Sequence, residues 1–271
     1  MQLSIKEKNR LKNKYGQWAL VTGASSGIGL ELASQLAAAG FQLVMVSRQA
    51  EKLQVISNDL RSKFSVEIKS IDTDLSSAGS IEKIITDTSE LDIGLLVNAA
   101  GFGTSGLFSE ASLPDEINML RVNCEAVLCL THHFIQRFRS RQSGGIIFLS
   151  SLVAFQGVPY SSHYAATKAY IQSFAEALTI ELQPNGIDVL AAAPGPVDSG
   201  FARRANMKMG KALQPSAIAV PILKALGRQS TVIPGLLSKV LVYSLRTVPR
   251  WAKVRIMQKV MGGFTAHQRQ S

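Results

Sequence analysis

The chain has 271 residues, 46% of them hydrophobic and 18% charged, enough to bury the core of one large domain. Lys and Arg outnumber Asp and Glu by 29 to 19, a net charge of +10. Two cysteines exclude a disulfide-stapled scaffold and fit a reducing compartment, and no run of about 20 apolar residues offers a spanning helix.

Apolar and turn-forming residues alternate along the whole length. Residues 17–22 are a short apolar strand that runs into a glycine turn. A helix is predicted over 27–40, with Ile28, Leu32, Leu36 and Ala39 at helical spacing and Gly40 ending it. Strand 42–47, helix 49–63, strand 66–70 and helix 77–90 follow. Strand 94–97 enters Asn98-Ala99-Ala100-Gly101, and a long helix is expected over 114–139. Its Cys124 and Cys129 read as two small buried side chains. Strand 146–149, helix 162–182 and strand 188–192 lead to Pro194-Gly195-Pro196, then helix 215–227 and strand 231–233. The strands are solidly apolar, as in a parallel sheet covered on both faces. The expected fold is α/β, a doubly wound Rossmann fold with a mainly parallel sheet covered by helices on both faces. One domain over 16–235 is expected, with a basic extension at 1–15 and a basic amphipathic one at 236–271. The first eight residues carry no apolar signal core.

In such sheets ligands bind at the carboxyl ends of the strands. Thr22-Gly23-Ala24-Ser25-Ser26-Gly27-Ile28-Gly29 sits there, after the first strand and at the start of the first helix. Its glycines allow a sharp turn and close backbone approach, and the helix amino end attracts phosphate. The second strand ends Val46-Ser47-Arg48, where a site for NAD would place an acid. A guanidinium suits a 2′-phosphate instead, which favours NADP(H).

Tyr164 and Lys168 are one helical turn apart, so they share a face. A neighbouring cation stabilises a phenolate and lowers its pKa, and a tuned tyrosine can protonate a carbonyl oxygen as hydride arrives at carbon. Ser151 ends the loop after strand 146–149 and can hold the same oxygen. His163 reads as a helix-start side chain rather than a catalytic one. His132 and His133 are adjacent and point apart, and no metal is expected.

Over residues 16–235 the chain resembles the short-chain dehydrogenase/reductases, by the glycine turn, Asn98-Ala99-Ala100-Gly101, Ser151, Tyr164-Ala165-Ala166-Thr167-Lys168 and Pro194-Gly195-Pro196-Val197. The resemblance implies Tyr164 as acid/base, Ser151 as carbonyl holder, Lys168 as ribose and pKa partner, and Asn123 as a fourth catalytic member that kinks its helix. It implies adenine contact at Asp74, beside Leu75, and cofactor contact at Asn98, Ala99 and Gly101. Beyond Pro194 and Gly195 it implies a backbone contact from Val197, with Ser199 in place of the usual threonine. Ala99 replaces an asparagine of the family pattern, so weaker strand anchoring is expected there. Among family members the chain resembles a bacterial subgroup near the 3-oxoacyl-CoA and steroid reductases. Pairing through helices 114–139 and 162–182, as a homodimer or homotetramer, is implied as well.

The segment after Gly195 offers Phe201, Met207 and Met209 to an apolar pocket, and Arg203, Arg204 and Lys208 to an acidic carrier. Residues 201–271 hold 13 Lys and Arg and no Asp or Glu, leaving a net −3 on residues 1–200. After Pro249, residues Trp251, Val254, Met257, Met261 and Phe264 share one broad helix face, with Arg255 and Lys259 opposite. A basic amphipathic helix with tryptophan suits an anionic membrane surface; the same stripe could pack on the core or on a second subunit. No nucleic-acid motif accompanies the charge. These residues read as an NADP(H)-dependent oxidoreductase of a lipophilic ketone or secondary alcohol, cytoplasmic or peripheral on a membrane. The alternatives are a soluble 3-oxoacyl carrier-protein reductase and an NADPH-binding redox-sensing scaffold.

Overall fold

In the computed structural model, which describes residues 2–210 and 212–269, the apolar stretches become strands β1 (Trp18–Thr22), β2 (Gln42–Ser47), β3 (Ile68–Asp72), β4 (Ile93–Asn98), β5 (Gly144–Leu149), β6 (Ile187–Ala192) and β7 (Thr231–Val232). Among the described residues they form one sheet in the order β3-β2-β1-β4-β5-β6-β7, every pair parallel. The order reverses between β1 and β4, which opens a crevice at their carboxyl ends. Every residue of β1, β4 and β5 is buried. β3 lies at the sheet edge, where Lys69 and Asp72 face water, so its apolar signal is thin and the expected strand sits two residues early.

Helices α1 (Ile5–Tyr15), α2 (Gly27–Ala38), α3 (Ala50–Phe64) and, later in the chain, Pro215–Ala225 cover one face, with Leu11, Leu32, Leu36, Phe41 and Leu223 fully buried. The other face packs under α4 (Ser80–Asp87), the helices α5 (Leu113–Leu120) and α6 (Ala126–Arg141), and α7 (Ser162–Glu181). The stretch expected as a basic extension is thus α1, a part of the core. Ser4 caps it by accepting from Glu7 N, and Tyr15 is fully buried with its hydroxyl donating to Asp188 at 2.6 Å. Arg10 donates to the carbonyls of Leu223 and Leu226 at 2.9 and 2.8 Å, and Glu7 pairs with Arg10 and Arg228.

The helix expected over 114–139 runs from Leu113 to Arg141, and Arg121–Glu125 within it is a π-helical segment between α5 and α6, with Asn123 at its centre. Cys124 is buried, but Cys129 faces solvent, against expectation, because the next turn of α6 rotates it outward.

After β6 come α8 (Phe201–Arg204), α9 (Pro215–Ala225), α10 (Leu236–Ser244) and α11 (Arg250–Phe264). The last two fold back over the carboxyl end of the sheet. Met257, Met261 and Phe264 pack on Val158, Ala205 and Met207, and Lys208 N donates to Phe264 O at 2.9 Å. Trp251, expected on the same helix face, is 66% exposed, with Arg255 across its ring.

Candidate active site

The glycine turn after β1 is built against its neighbours. Gly23 has φ +67°, and a Cβ there would lie 2.8 Å from the backbone of Ala100. Gly27 has φ +57°, and a Cβ there would lie 2.6 Å from the Cβ of Ser199, so the segment after β6 descends onto the turn. No side chain caps the amino end of α2 and its first turn holds no acid, which leaves its N–H groups to an anion from the crevice. Ser47 Oγ donates to Ser25 Oγ at 2.7 Å, tying the turn to the end of β2.

Thr22, not singled out in the sequence, does the anchoring expected to be weak at Ala99. Its hydroxyl accepts from the N–H groups of Ala99 and Ala100, both at 3.1 Å. Only the position of Thr22 at the strand end hinted at this. Arg48 is half exposed, 3.8 Å from Asp74. Burial pushes the Asp74 carboxyl upward, but hydrogen bonds from Ser76 N (2.9 Å) and Oγ (2.8 Å), with the charges of Arg48 and Arg204, hold it below the usual carboxylate range.

Tyr164 and Lys168 rise from the first turns of α7 and are both buried. Lys168 Nζ donates to Leu149 O at 2.7 Å and stands 5.8 Å from the centre of the Tyr164 ring. Burial lowers its pKa to about 8. Burial drives the Tyr164 phenol well above its ordinary value, and a hydrogen bond with Ser151 works against this. The direction is the reverse of that expected from Lys168. Ser151 Oγ also accepts from Val153 N at 3.4 Å. The Phe201 ring lies 5.0 Å from that of Tyr164.

One cavity of about 1390 Å³ runs through this region. It is lined by Gly23, Ser25, Ser26, Gly27, Ile28, Gly29, Arg48, Asp74, Leu75, Ala99, Gly101, Ser151, Tyr164, Lys168, Pro194, Gly195, Val197 and Ser199. Asn98 and Asn123 stand behind its wall. Asn98 Nδ2 donates to Thr131 Oγ1 at 3.3 Å. Asn123 accepts from Phe102 N at 3.1 Å and donates to Phe102 O at 2.9 Å and to Thr167 Oγ1 at 3.0 Å, so the π-helical segment spends this side chain on holding Phe102 to α7. His163 points away from the cavity to the buried carboxylate of Glu116, at 2.6 Å, which joins α7 to α5.

The far wall is the carboxyl-terminal part of the chain: Leu237, Leu241, Met257, Met261 and Phe264, with Met207 from the loop. Phe201, Met207 and Met209, expected at an apolar pocket, line this cavity, whereas for Met257 and Met261 the spacing gave a stripe and no sign of what it faced. Arg204, offered in the sequence to an acidic carrier, has its guanidinium 3.6 Å above the Phe102 ring, at the cavity edge. The cavity exceeds the roughly 300–1,000 Å³ of a site for one drug-sized ligand. An uncapped helix end, a glycine cradle and Arg48 at one end, with Tyr164 and an apolar chamber at the other, fit a phosphorylated dinucleotide beside an apolar partner.

The family model described as short chain dehydrogenase matches residues 17–210. A 7beta-hydroxysteroid dehydrogenase of Collinsella aerofaciens is 30% identical over 234 residues, 83% of this chain and 88% of that one. The very-long-chain 3-oxoacyl-CoA reductase of Homo sapiens is 29% identical over 256 residues, 93% of this chain and 82% of that one. A short-chain dehydrogenase from Sphingobium yanoikuyae, solved in complex with NADPH, superposes with a TM-score of 0.79 at 27% identity, over 89% of this chain and 95% of that one.

Proposed function

The chain belongs to the short chain dehydrogenase family, and from that premise we propose that it is an NADP(H)-dependent oxidoreductase interconverting a ketone and a secondary alcohol on a lipophilic substrate. The observation that carries this reading is the meeting of Ser151, Tyr164 and Lys168 with the glycine cradle and Arg48 in one cavity whose far wall is apolar. NADPH, when bound, supplies the hydride. Ser151 Oγ holds the substrate oxygen, and the Tyr164 phenol gives that oxygen a proton. A phenol raised by burial stays protonated at neutral pH, which suits reduction. The Lys168 ammonium, fixed by Leu149 O, lends positive charge to the phenolate left behind. The steroid dehydrogenase and 3-oxoacyl-CoA reductase relatives both support a lipophilic carbonyl compound as substrate.

Fluorescence titration with NADPH and NADH, followed by turnover on ketones of increasing chain length, tests the reading. The expected result is NADPH binding at least about tenfold tighter, with turnover rising with lipophilicity. Tight NADPH binding without turnover on any ketone would replace the enzyme by a sensor.

We further propose that α10 and α11 rest on an anionic membrane surface. Leu236, Leu237 and Trp251 are 80%, 72% and 66% exposed, in a stretch without acids. Among the described residues no helix is long and apolar enough to cross a membrane.

A further inference from the structure

Arg48 alone is a poor receptor for a phosphate monoester. Such a group carries between one and two negative charges at neutral pH, and Asp74, 3.8 Å from Arg48, offsets part of the guanidinium's charge. Two further cations line the same cavity as Arg48 and Asp74. Lys52 lies four residues after Arg48, whereas Arg204 comes from α8, about 150 residues later in the chain.

Its place is prepared. The guanidinium lies 3.6 Å above the ring of Phe102, and that ring is buried in a cluster with Met119, Val122 and Tyr164, while Asn123 grips the N–H and the C=O of the Phe102 backbone. Partial burial and the charge of Arg48 both lower the Arg204 pKa, while Asp74 and Asp115 act the other way. Arg204 thus stands within electrostatic reach of Arg48 in the cavity that both line. Stacking on an aromatic face fixes the plane of an arginine and leaves its N–H edge free for bidentate bonding.

On the NADP(H) reading given above, we infer that Arg204 closes with Arg48 on the 2′-phosphate of the adenosine ribose. The cofactor is then recognised by residues from two distant parts of the chain, and one of them lies on the turn that also carries Phe201 against Tyr164. The same chemistry could be offered by the 5′-phosphates, so the probes must separate the two.

Calorimetric titration with 2′,5′-ADP and with ADP, which lacks the 2′-phosphate, does so without any turnover. Arg204→Gln is expected to weaken 2′,5′-ADP about tenfold, the scale of a charge-assisted hydrogen bond, and to change ADP less than about twofold. Arg204→Lys is expected to recover part of the loss, with unchanged thermal unfolding in both variants. Unaltered 2′,5′-ADP binding in Arg204→Gln would overturn the inference, as would an equal loss for ADP, which would move the contact to the 5′-phosphates. If the parent protein bound 2′,5′-ADP no better than 5′-AMP, the NADP(H) reading itself would fail and take the inference with it.

Discussion

At pH 7 Lys168 keeps a positive charge where water is scarce, received by the carbonyl of Leu149. Its pKa, lowered by burial to about 8, lies below that of the unfolded chain, near 10.4. The charged form is thus penalised by folding. The penalty is present in full below pH 8 and is relieved as pH rises towards 10.4. Lys168→Met removes the titration, so its stability advantage over the parent is expected to narrow by about 2 kcal/mol between pH 7.5 and pH 10, read from urea unfolding of the cofactor-free protein. A constant gap would show that Lys168 titrates normally. Tyr164→Phe keeps the ring against Phe201 and removes the proton. Turnover is expected to fall by at least about a thousandfold while NADPH affinity, by fluorescence, stays within about twofold. Both residues were legible in the sequence, because a spacing of four on a helix fixes their common face. The sign of the phenol's shift was not legible. It depends on burial under Phe201, a residue 37 positions later in a loop whose path no local pattern encodes.

Among the elements, β1, β4 and β5 could be read directly, since strands buried on both faces need unbroken apolar runs. Helix α1 could not. Its composition is dominated by Lys, Arg and Asn, and only Leu3, Leu11 and Tyr15 enter the core. The groups that hold it, Asp188, the carbonyls of Leu223 and Leu226, and Arg228, lie more than 170 residues away. Leu11 is fully buried, so Leu11→Ala is expected to destabilise the protein by about 3 kcal/mol in denaturant unfolding. A surface appendage would lose nothing measurable. The π-helical segment leaves no periodic trace, because it adds one residue to a turn; only the family resemblance at Asn123 implied a kink there. The cofactor cradle was visible as a motif. Its support from Thr22 and Asn123 was not, since both act through backbone groups.

For the molecule as a whole, charge and apolar exposure coincide on one side. α10 and α11 present Leu236, Leu237, Tyr243 and Trp251 to solvent in a segment free of acids, and the same two helices wall the cavity with Leu241, Met257 and Met261. In vesicle sedimentation the protein is expected to co-sediment with membranes containing about a third anionic lipid and to stay in solution with neutral ones. The double variant Leu236→Ser, Trp251→Ser is expected to lose most of this retention without losing NADPH binding. Equal retention of the parent on both vesicle types would remove the membrane proposal. The residues of the far wall were present in the sequence as a stripe, but a stripe does not say whether it faces lipid, core or ligand. In the fold that stripe divides, with Met257, Met261 and Phe264 turned to the cavity and Trp251 to solvent.

The attachment of α1 also sets an order of events at the ribosome. Arg10 must wait for a carbonyl 216 positions downstream, so until α9 has emerged α1 is held only by its earlier partners, among them Gln35 and Gly40. Nascent chains stalled before residue 223 should therefore leave Leu11 and Tyr15 less firmly packed and open to chaperones.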